Sequence, residues 1–335
     1  MDVDFIIAGQ GIAGTWLSFV LWQNGYRVCV ADESSGKASS LAAGALINPV
    51  NVNRGILVKD AMQLMAKTKQ EYQEMEQVLS ASFFKESSII VWNGLNLKDD
   101  PEKNAFIKIL TQEEQSSLSQ KFSTGPATFK VEPVACVNAE VLLHSWRRFL
   151  QIKQAFVPAK VHPNQIREIQ GGVVWNNISA KALIFCNGAD ALRQTLFQHI
   201  PFTPNYGDVL LIDIPDLKSD QIWHFGHTRL IPLGESKYWC GSNYRWEIED
   251  VQPDADWRSE TEALLKTYLR VPFIVRDHFV AERPTIAGQQ PVFGFLKNHP
   301  QIGIFNGFGT RGFSLTPLLA RNFVLDIKDG NIPML

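Results

Sequence analysis

Cysteine is scarce in this sequence, and its spacing excludes several kinds of site. The four cysteines (Cys29, Cys136, Cys186 and Cys240) lie far apart, without a CxxC pair or an accompanying pair of histidines. This spacing argues against a zinc site or a dithiol redox motif, so we predict no metal. A reducing cytoplasm is the simplest setting for such a chain.

Long apolar runs are missing as well. The apolar run at residues 12–22 is shorter than the roughly 18 residues needed to cross a bilayer, and it contains Thr15 and Ser18. At the N-terminus, Asp2 and Asp4 stand where a secretory signal would carry positive charge. We therefore predict a cytoplasmic protein without a signal peptide or a membrane span.

Neither sign of charge is in excess. The 335 residues include 32 Lys and Arg against 34 Asp and Glu, which leaves a formal net charge of -2. The overall charge therefore gives no indication of a nucleic-acid or membrane partner. With 45% hydrophobic and 20% charged residues, the chain has the balance of a globular protein, and its length predicts about two domains.

A glycine-rich motif, GQGIAG at residues 9–14, lies between a predicted strand and a predicted helix. Its glycines allow a tight turn and let the backbone approach a pyrophosphate at the helix N-terminus. A second apolar strand follows and ends at Asp32, where a carboxylate can accept ribose hydroxyls and disfavours NADP. The predicted dinucleotide-binding residues of this unit are Gly9, Gly11, Ile12, Ala13, Gly14, Asp32 and Glu33.

A second glycine-rich turn, GFGTRG at residues 307–312, also lies between a predicted strand and a predicted helix. An NAD-dependent dehydrogenase has no need of such a turn so late in the chain. A larger ligand such as FAD does, because its ring system must be held closely by backbone, and a helix dipole can lie by its pyrimidine end. A third segment, residues 42–46, consists of small residues that would let a flat ring lie on the backbone; a buried turn would look similar.

The order of predicted elements indicates an α/β fold. The first strand, turn, helix and strand call for a parallel sheet covered by helices. We predict a Rossmann-like FAD-binding domain made of residues 1–82, 131–205 and 284–335. A second, mixed-sheet α+β substrate domain is inserted in two pieces, residues 83–130 and 206–283.

In this order, the segments resemble the D-amino-acid-oxidase-like family of FAD-dependent oxidoreductases. That family includes glycine oxidase and the flavin domain of the bifunctional tRNA 5-methylaminomethyl-2-thiouridine biosynthesis protein. The resemblance covers nearly the whole chain and rests on GQGIAG, VCVADE, SSLAAGAL, ALIFCNGA, IPLGESKYWCGSNYRWE, AERPTIAGQQPVFG and GFGTRGFSLTP. The GSNYR and GTRG segments look closer to the tRNA-modification flavin domain than to glycine oxidase.

The resemblance implies non-covalent FAD and extends the set of cofactor-binding residues. Val161 would lie beside the adenine. The segment after Ser39 would lie along the flavin, and the second glycine turn would close over its ribityl and pyrimidine side. The residues added in this way are Ser40, Ala43, Gly44, Leu46, Val161, Asn187, Gly188, Gly307, Gly309, Thr310, Arg311 and Gly312.

The resemblance also implies a substrate-binding arginine. Arg283, in the ERP segment, would form a fork to the substrate carboxylate, for which a planar guanidinium is suited. The chain departs from the family pattern at Ile286, where Thr or Ser is usual, and at Gly288, where an acid is usual.

Three more residues are candidates for the substrate pocket. Arg229 replaces a pocket tyrosine of glycine oxidase, which favours a more anionic or larger substrate, although an exposed arginine is an equal alternative. Tyr206 and Tyr244 are the other candidates, and buried tyrosines often serve packing instead.

The implied reaction is oxidation of the C–N bond of a small amino acid or secondary amine, with hydride transfer to flavin and O2 as the acceptor. One alternative is removal of a carboxymethyl group from a modified tRNA uridine. Another is a flavin-binding protein without amine turnover. A tRNA partner is possible but not favoured, because tRNA binding needs several phosphate contacts and the net charge is -2.

Overall fold

The computed structural model describes residues 1–33, 38–52, 54–92, 105–123, 128–218, 220–246 and 251–335. Its helices are α1 (Ile12–Gln23), α2 (Ser39–Ala42), α3 (Ala61–Leu79), α4 (Gln112–Ser119), α5 (Ala139–Ile152), α6 (Ala255–Tyr268) and α7 (Gly312–Asp329). Its strands are β1 (Asp2–Ala8), β2 (Val28–Ala31), β3 (Leu46–Ile47), β4 (Val50–Asn51), β5 (Ile56–Leu57), β6 (Phe84–Trp92), β7 (Ile107–Ile109), β8 (Thr128–Val137), β9 (Phe156–Val157), β10 (Arg167–Ile169), β11 (Gly172–Trp175), β12 (Ile178–Phe185), β13 (Asn205–Asp213), β14 (Ile222–Phe225), β15 (Thr228–Gly234), β16 (Lys237–Gly241), β17 (Arg245–Trp246), β18 (Ile274–Arg283), β19 (Val292–Leu296) and β20 (His299–Asn306).

The first sheet has the strand order β10-β11-β12-β1-β2-β9, and β20 pairs with both β12 and β19. Its centre is parallel: Ile6 of β1 is in register with Cys29 of β2 and with Leu183 of β12. Both faces of β1 are buried, which is why this strand is a continuous apolar run. The predicted α/β fold with a Rossmann-like sheet is confirmed.

The apolar run that opens α1 is a buried helix. Ten of its residues, from Ile12 to Leu21, are buried. Its polar members are satisfied locally, because the Ser18 hydroxyl donates to the Gly14 carbonyl oxygen at 2.6 Å and accepts from Trp146 Nε1 at 2.8 Å. No helix in the described part of the chain is long and apolar enough to cross a membrane.

The second sheet has the strand order β17-β13-β16-β15-β14-β6-β8-β3, with β18 beside β13 and β7 beside β8. Its strands pair antiparallel except for β6 and β14. One face packs against α4 and α6, and the other joins the apolar cluster that contains α1, α3 and α7. This second face therefore lies on the side of the sheet where α1 and the first glycine turn are.

The division into two domains stays a prediction, but strand pairing bears on its boundaries. All of β8 lies in the second sheet, so the boundary predicted after residue 130 falls inside a strand. β3 also joins that sheet, since Leu46 pairs with Cys136. β18 ends at Arg283, next to the boundary predicted there.

Candidate active site

The first glycine turn has room for backbone only. Gly9 has φ +102°, a left-handed conformation that favours glycine. A Cβ on Gly14 would lie 1.9 Å from the Gly9 carbonyl oxygen, so only glycine lets α1 begin this close to β1. Gly11 begins α1 without a side-chain cap, and the Ser40 hydroxyl accepts the Ile12 N–H at 2.9 Å. The turn thus presents bare backbone and a helix N-terminus, the features that suit a pyrophosphate.

Asp32 is held at the end of β2 by two donors. Its Oδ2 accepts the Gln10 N–H at 2.8 Å, and its Oδ1 accepts from Arg147 Nη2 at 3.2 Å. Arg147 also donates from Nε to the Gln10 side-chain oxygen at 2.5 Å and lies over the Phe156 ring at 5.3 Å. Sequence reasoning missed Arg147 because its distance from Asp32 along the chain hides a contact that only the fold creates.

Glu33 and Val161 come together at the rim of this turn. Lys160 Nζ lies 3.5 Å from Glu33 Oε1 and 2.6 Å from Asp190 Oδ2. The hydrogen bond to Asp190 raises the pKa of Lys160. Val161, the residue after Lys160, is buried. The ion pair of Lys160 therefore brings Glu33 close to Val161 in the fold.

Asn187 and Gly188 join the two glycine turns. The Cα of Asn187 would lie 3.0 Å from a Cβ on Gly9. The Asn187 side-chain oxygen is buried and has no hydrogen-bond partner within the described part of the chain. Gly188, with φ +56°, offers its carbonyl oxygen to Asn306 Nδ2 at 2.9 Å.

The second glycine turn packs on the ERP segment and on the first turn. A Cβ on Gly307 would lie 2.2 Å from Ile286 Cδ1, and a Cβ on Gly312 would lie 3.0 Å from Ile12 Cγ2. The Gly309 N–H donates to the Pro284 carbonyl oxygen at 3.1 Å. The apolar Ile286 thus fills the space that Gly307 leaves free.

The helix that follows the second turn begins at Gly312, the last residue of the GFGTRG motif. Thr310 and Arg311 are exposed, and Arg311 Nη2 donates to the Gln289 carbonyl oxygen. Their role over the flavin stays a prediction.

The small-residue segment that follows Ser40 lies against the second sheet. A Cβ on Gly44 would come within 2.5 Å of Ile231 Cδ1, so no side chain fits there. Trp239 Nε1 donates to the Ala42 carbonyl oxygen at 2.9 Å, and Ala43 packs on the same apolar cluster. This segment therefore lies between the first sheet and the face of the second sheet that carries Ile231 and Trp239. That face is the candidate substrate-binding face.

Arg283 lies on that face, with its guanidinium bound by neutral acceptors. Its Nη1 donates to Asn205 Oδ1 at 2.5 Å, its Nη2 donates to the Ser242 hydroxyl at 2.7 Å, and both lie 3.3 Å from the Asn243 carbonyl oxygen. Within the described ranges it forms no ion pair, and burial lowers its pKa. The charge is thus available to an anion, although a carboxylate fork requires exchange of some of these hydrogen bonds.

The two candidate tyrosines have different surroundings. Tyr244 is 57% exposed, and its ring centroid lies 4.9 Å from Arg283 Cζ. Tyr206 is buried, and its hydroxyl donates to Glu282 Oε1 at 3.3 Å. Because side chains alternate along β13, Tyr206 and the Gly207 position under Arg283 lie on opposite faces. The structure brings Tyr244 to Arg283 and does not bring Tyr206 there.

Arg229 is partly buried on the same face as Arg283. It lies on β15 opposite His224 of β14 and Gly241 of β16. Burial lowers the pKa of Arg229, and burial together with the nearby Arg229 charge lowers the pKa of His224 to about 3. The predicted alternative of a freely exposed arginine is therefore wrong.

Comparison with known proteins shows the family of this chain. The family model described as FAD dependent oxidoreductase (DAO) matches residues 4–324. The chain belongs to this family. Glycine oxidase from Geobacillus kaustophilus is a similar solved structure, with a TM-score of 0.78 and 16% identity over 98% of this chain and 95% of that one.

Two further solved structures share the fold. Iminodiacetate oxidase from Chelativorans sp. BNC1 has a TM-score of 0.75 and 17% identity, covering 97% of this chain and 95% of that one. L-alpha-glycerophosphate oxidase from Mycoplasma pneumoniae, with FAD bound, has a TM-score of 0.72 and 13% identity, covering 99% and 96%.

The residues at the two glycine turns fit FAD, the cofactor of this family. Gly9 and Gly14 leave backbone bare at the N-terminus of α1, and the Asn187 side-chain oxygen still lacks a donor among the described residues. Cys186, the nearest cysteine to this turn, is buried, and burial raises its pKa. A buried thiol is unreactive, which agrees with the predicted non-covalent attachment.

Proposed function

We propose that this FAD-dependent oxidoreductase oxidises the C–N bond of a small amine that carries a carboxylate, with O2 as the electron acceptor. The observation that carries the proposal is the place of Arg283. Its guanidinium lies over Gly207, without a carboxylate partner in the described ranges, on the sheet face that contacts the small-residue segment at Gly44. A substrate carboxylate bound there lies between the Arg283 guanidinium and the small-residue segment that is predicted to lie along the flavin.

In this proposal, the residues of the chain bind and orient the substrate. Arg283 holds the carboxylate, and Tyr244 limits how the carboxylate approaches by stacking on the guanidinium. FAD, held at the two glycine turns, would supply the acceptor for the hydride that leaves the carbon next to nitrogen.

The reaction products follow from the loss of this hydride. The substrate carbon loses a hydride and the nitrogen loses a proton, which leaves an imine. Water then hydrolyses the imine to a carbonyl compound and an amine. The two electrons reduce O2 to hydrogen peroxide.

Anaerobic titration of the purified holoenzyme tests this proposal. We expect glycine, sarcosine or a D-amino acid to bleach the flavin absorbance, and air to restore it with release of peroxide. The same amines without the carboxylate, such as methylamine and dimethylamine, are the matched controls and should leave the flavin oxidised. Bleaching only by tRNA that contains carboxymethylaminomethyl-uridine would replace the small-molecule proposal, and a yellow protein inert to all of these would contradict it.

A further inference from the structure

One end of the inner face of the second sheet is polar. Further along, this face is apolar, with Ile231 and Trp239 buried under the small-residue segment. Arg229 lies two residues before Ile231 on β15 and therefore on the same face of the sheet. A cation thus lies immediately next to the part of the sheet that contacts the predicted flavin-side backbone.

Glycines separate Arg229 from Arg283. Arg229 of β15 pairs with Gly241 of β16, and Gly241 pairs with Val209 of β13. Gly207 lies two residues before Val209 on β13. Strand spacing places the Cα atoms of Arg229 and Gly207 about 12 Å apart. The Arg283 guanidinium lies over Gly207, and a Cβ on Gly241 would lie 3.1 Å from the Trp239 ring. Both arginines therefore lie on the face of the sheet that carries Trp239.

Arg229 and Arg283 also differ from the neighbouring arginines in their charge balance. Arg245, Arg276 and Arg193 each have a carboxylate oxygen within 3.0 Å. Neither Arg229 nor Arg283 has an ion pair within the part of the chain that the structure describes.

The Nε atom of Arg229 is buried and has no hydrogen-bond partner among those residues. Its neighbour across the strands, His224, is held neutral by burial and by the Arg229 charge, so it adds no second cation beside this guanidinium. Leaving this buried Nε–H without an acceptor is costly, and an anionic ligand that accepts from it removes that cost.

We infer that Arg229 forms a second anion subsite, and that the preferred substrate is an amine with two carboxylates, one on each side of the nitrogen. This inference rests on the proposed function, because Arg283 takes the carboxylate next to the oxidised carbon. Arg229 takes the other carboxylate, and the amine lies between the two guanidinium groups.

Non-oxidisable ethers test the subsite on the holoenzyme without turnover. In oxydiacetate, oxygen replaces the nitrogen of iminodiacetate, and methoxyacetate is the corresponding analogue of sarcosine. Dissociation constants are measured from the change in flavin absorbance on titration. We expect oxydiacetate to bind at least about tenfold more tightly than methoxyacetate, since the second carboxylate gains a charge-assisted contact.

Three variants locate the source of this preference. Arg229→Gln should bring the two dissociation constants to within about threefold of each other, and Arg229→Lys should keep part of the difference because it keeps the charge without the fork. Arg276→Gln is the matched control, since Arg276 pairs with Asp213 at the surface, and it should keep the full preference. FAD content and the visible spectrum of each variant verify that it is folded.

The outcomes separate this inference from the proposed function. Equal binding of the two ethers by the wild-type protein, or an unchanged preference in Arg229→Gln, would overturn the second subsite even when amines are oxidised. A preference that depends on Arg229, in a protein that oxidises no amine, would support the subsite and contradict the proposed function. Higher kcat/KM for iminodiacetate than for sarcosine, lost in Arg229→Gln, would support both.

Discussion

A Cβ atom on Gly207 would lie 1.7 Å from Nη2 of Arg283, so the guanidinium lies directly above the β13 backbone. The position of this cation therefore depends on a residue without a side chain on the neighbouring strand. Glycine within a strand weakens pairing, and a close approach of this kind gives it a reason to be there.

Gly207→Ala should therefore impair the enzyme in the same way as a change of Arg283 itself. The added methyl group displaces the guanidinium while the charge stays. We expect kcat/KM for a carboxylate-bearing amine to fall at least about tenfold in Gly207→Ala and in Arg283→Lys, which keeps the charge but loses the fork. Peroxide release measures the rate, and FAD content should not change.

Arg276→Gln serves as the control, because Arg276 lies on the same strand as Arg283 but binds Asp213 at the surface. Wild-type kcat/KM in Gly207→Ala would show that the guanidinium can lie elsewhere without loss, and would remove Arg283 from substrate binding.

The parts of the fold that local patterns determine could be predicted from the sequence. The GQGIAG turn, its flanking strands and Asp32 are adjacent in the chain, and their spacing alone indicates the unit. The acceptors around Arg283 could not be predicted, because Asn205 and Ser242 reach it only through strand pairing. Ser242 and Asn243 do belong to the GSNYR segment that carries the family resemblance, which was the available signal.

The surroundings of Tyr206 could not be predicted from the sequence either. Strand alternation turns its side chain to the face opposite Gly207, and only the fold shows which face that is. Its hydroxyl instead donates to Glu282, and burial together with the Glu282 charge raises the pKa of Tyr206.

FAD affinity should depend on the contacts of Asp32. Asp32→Ala removes the acceptor proposed for the ribose hydroxyls, and we expect it to weaken FAD binding by about 1–3 kcal/mol. Arg147→Gln should weaken it less, because Asp32 keeps the Gln10 N–H and loses only the bond from Arg147. Titration of FAD into apoprotein, followed by flavin fluorescence, gives both values.

The neighbouring Arg148 provides the control for Arg147, since it is exposed on the same helix. Arg148→Gln should bind FAD like the wild-type protein. Equal FAD affinity in Asp32→Ala and wild type would show that Asp32 supports the turn and does not bind the cofactor.

The two glycines of the first turn should tolerate substitution differently. A Cβ at position 14 would lie 1.9 Å from a backbone oxygen, whereas a Cβ at position 11 would lie 3.1 Å from the Ser40 hydroxyl, a side-chain atom that can move. We expect Gly14→Ala to purify without FAD and with a lowered melting temperature, and Gly11→Ala to keep most of its flavin. Visible absorbance and thermal unfolding measure the two effects, and a fully yellow Gly14→Ala would contradict the packing argument.

His224 makes the stability of the protein depend on pH. Its pKa is lowered to about 3 from the ordinary value of 6.5 by burial and by the Arg229 charge, so the folded protein keeps this imidazole neutral. Below pH 6.5 the unfolded chain takes up a proton that the folded chain does not, so stability falls as the pH falls. Between pH 7.5 and pH 5 this difference should lower the free energy of unfolding by about 2 kcal/mol.

Denaturant unfolding with saturating FAD at both pH values measures this loss of stability. The loss of about 2 kcal/mol should be absent in His224→Gln. It should be retained in His144→Gln, the control, which changes an exposed position of α5. An equal pH dependence in all three proteins would mean that His224 is protonated in the folded state, and that a second cation can lie beside Arg229 on the substrate-binding face.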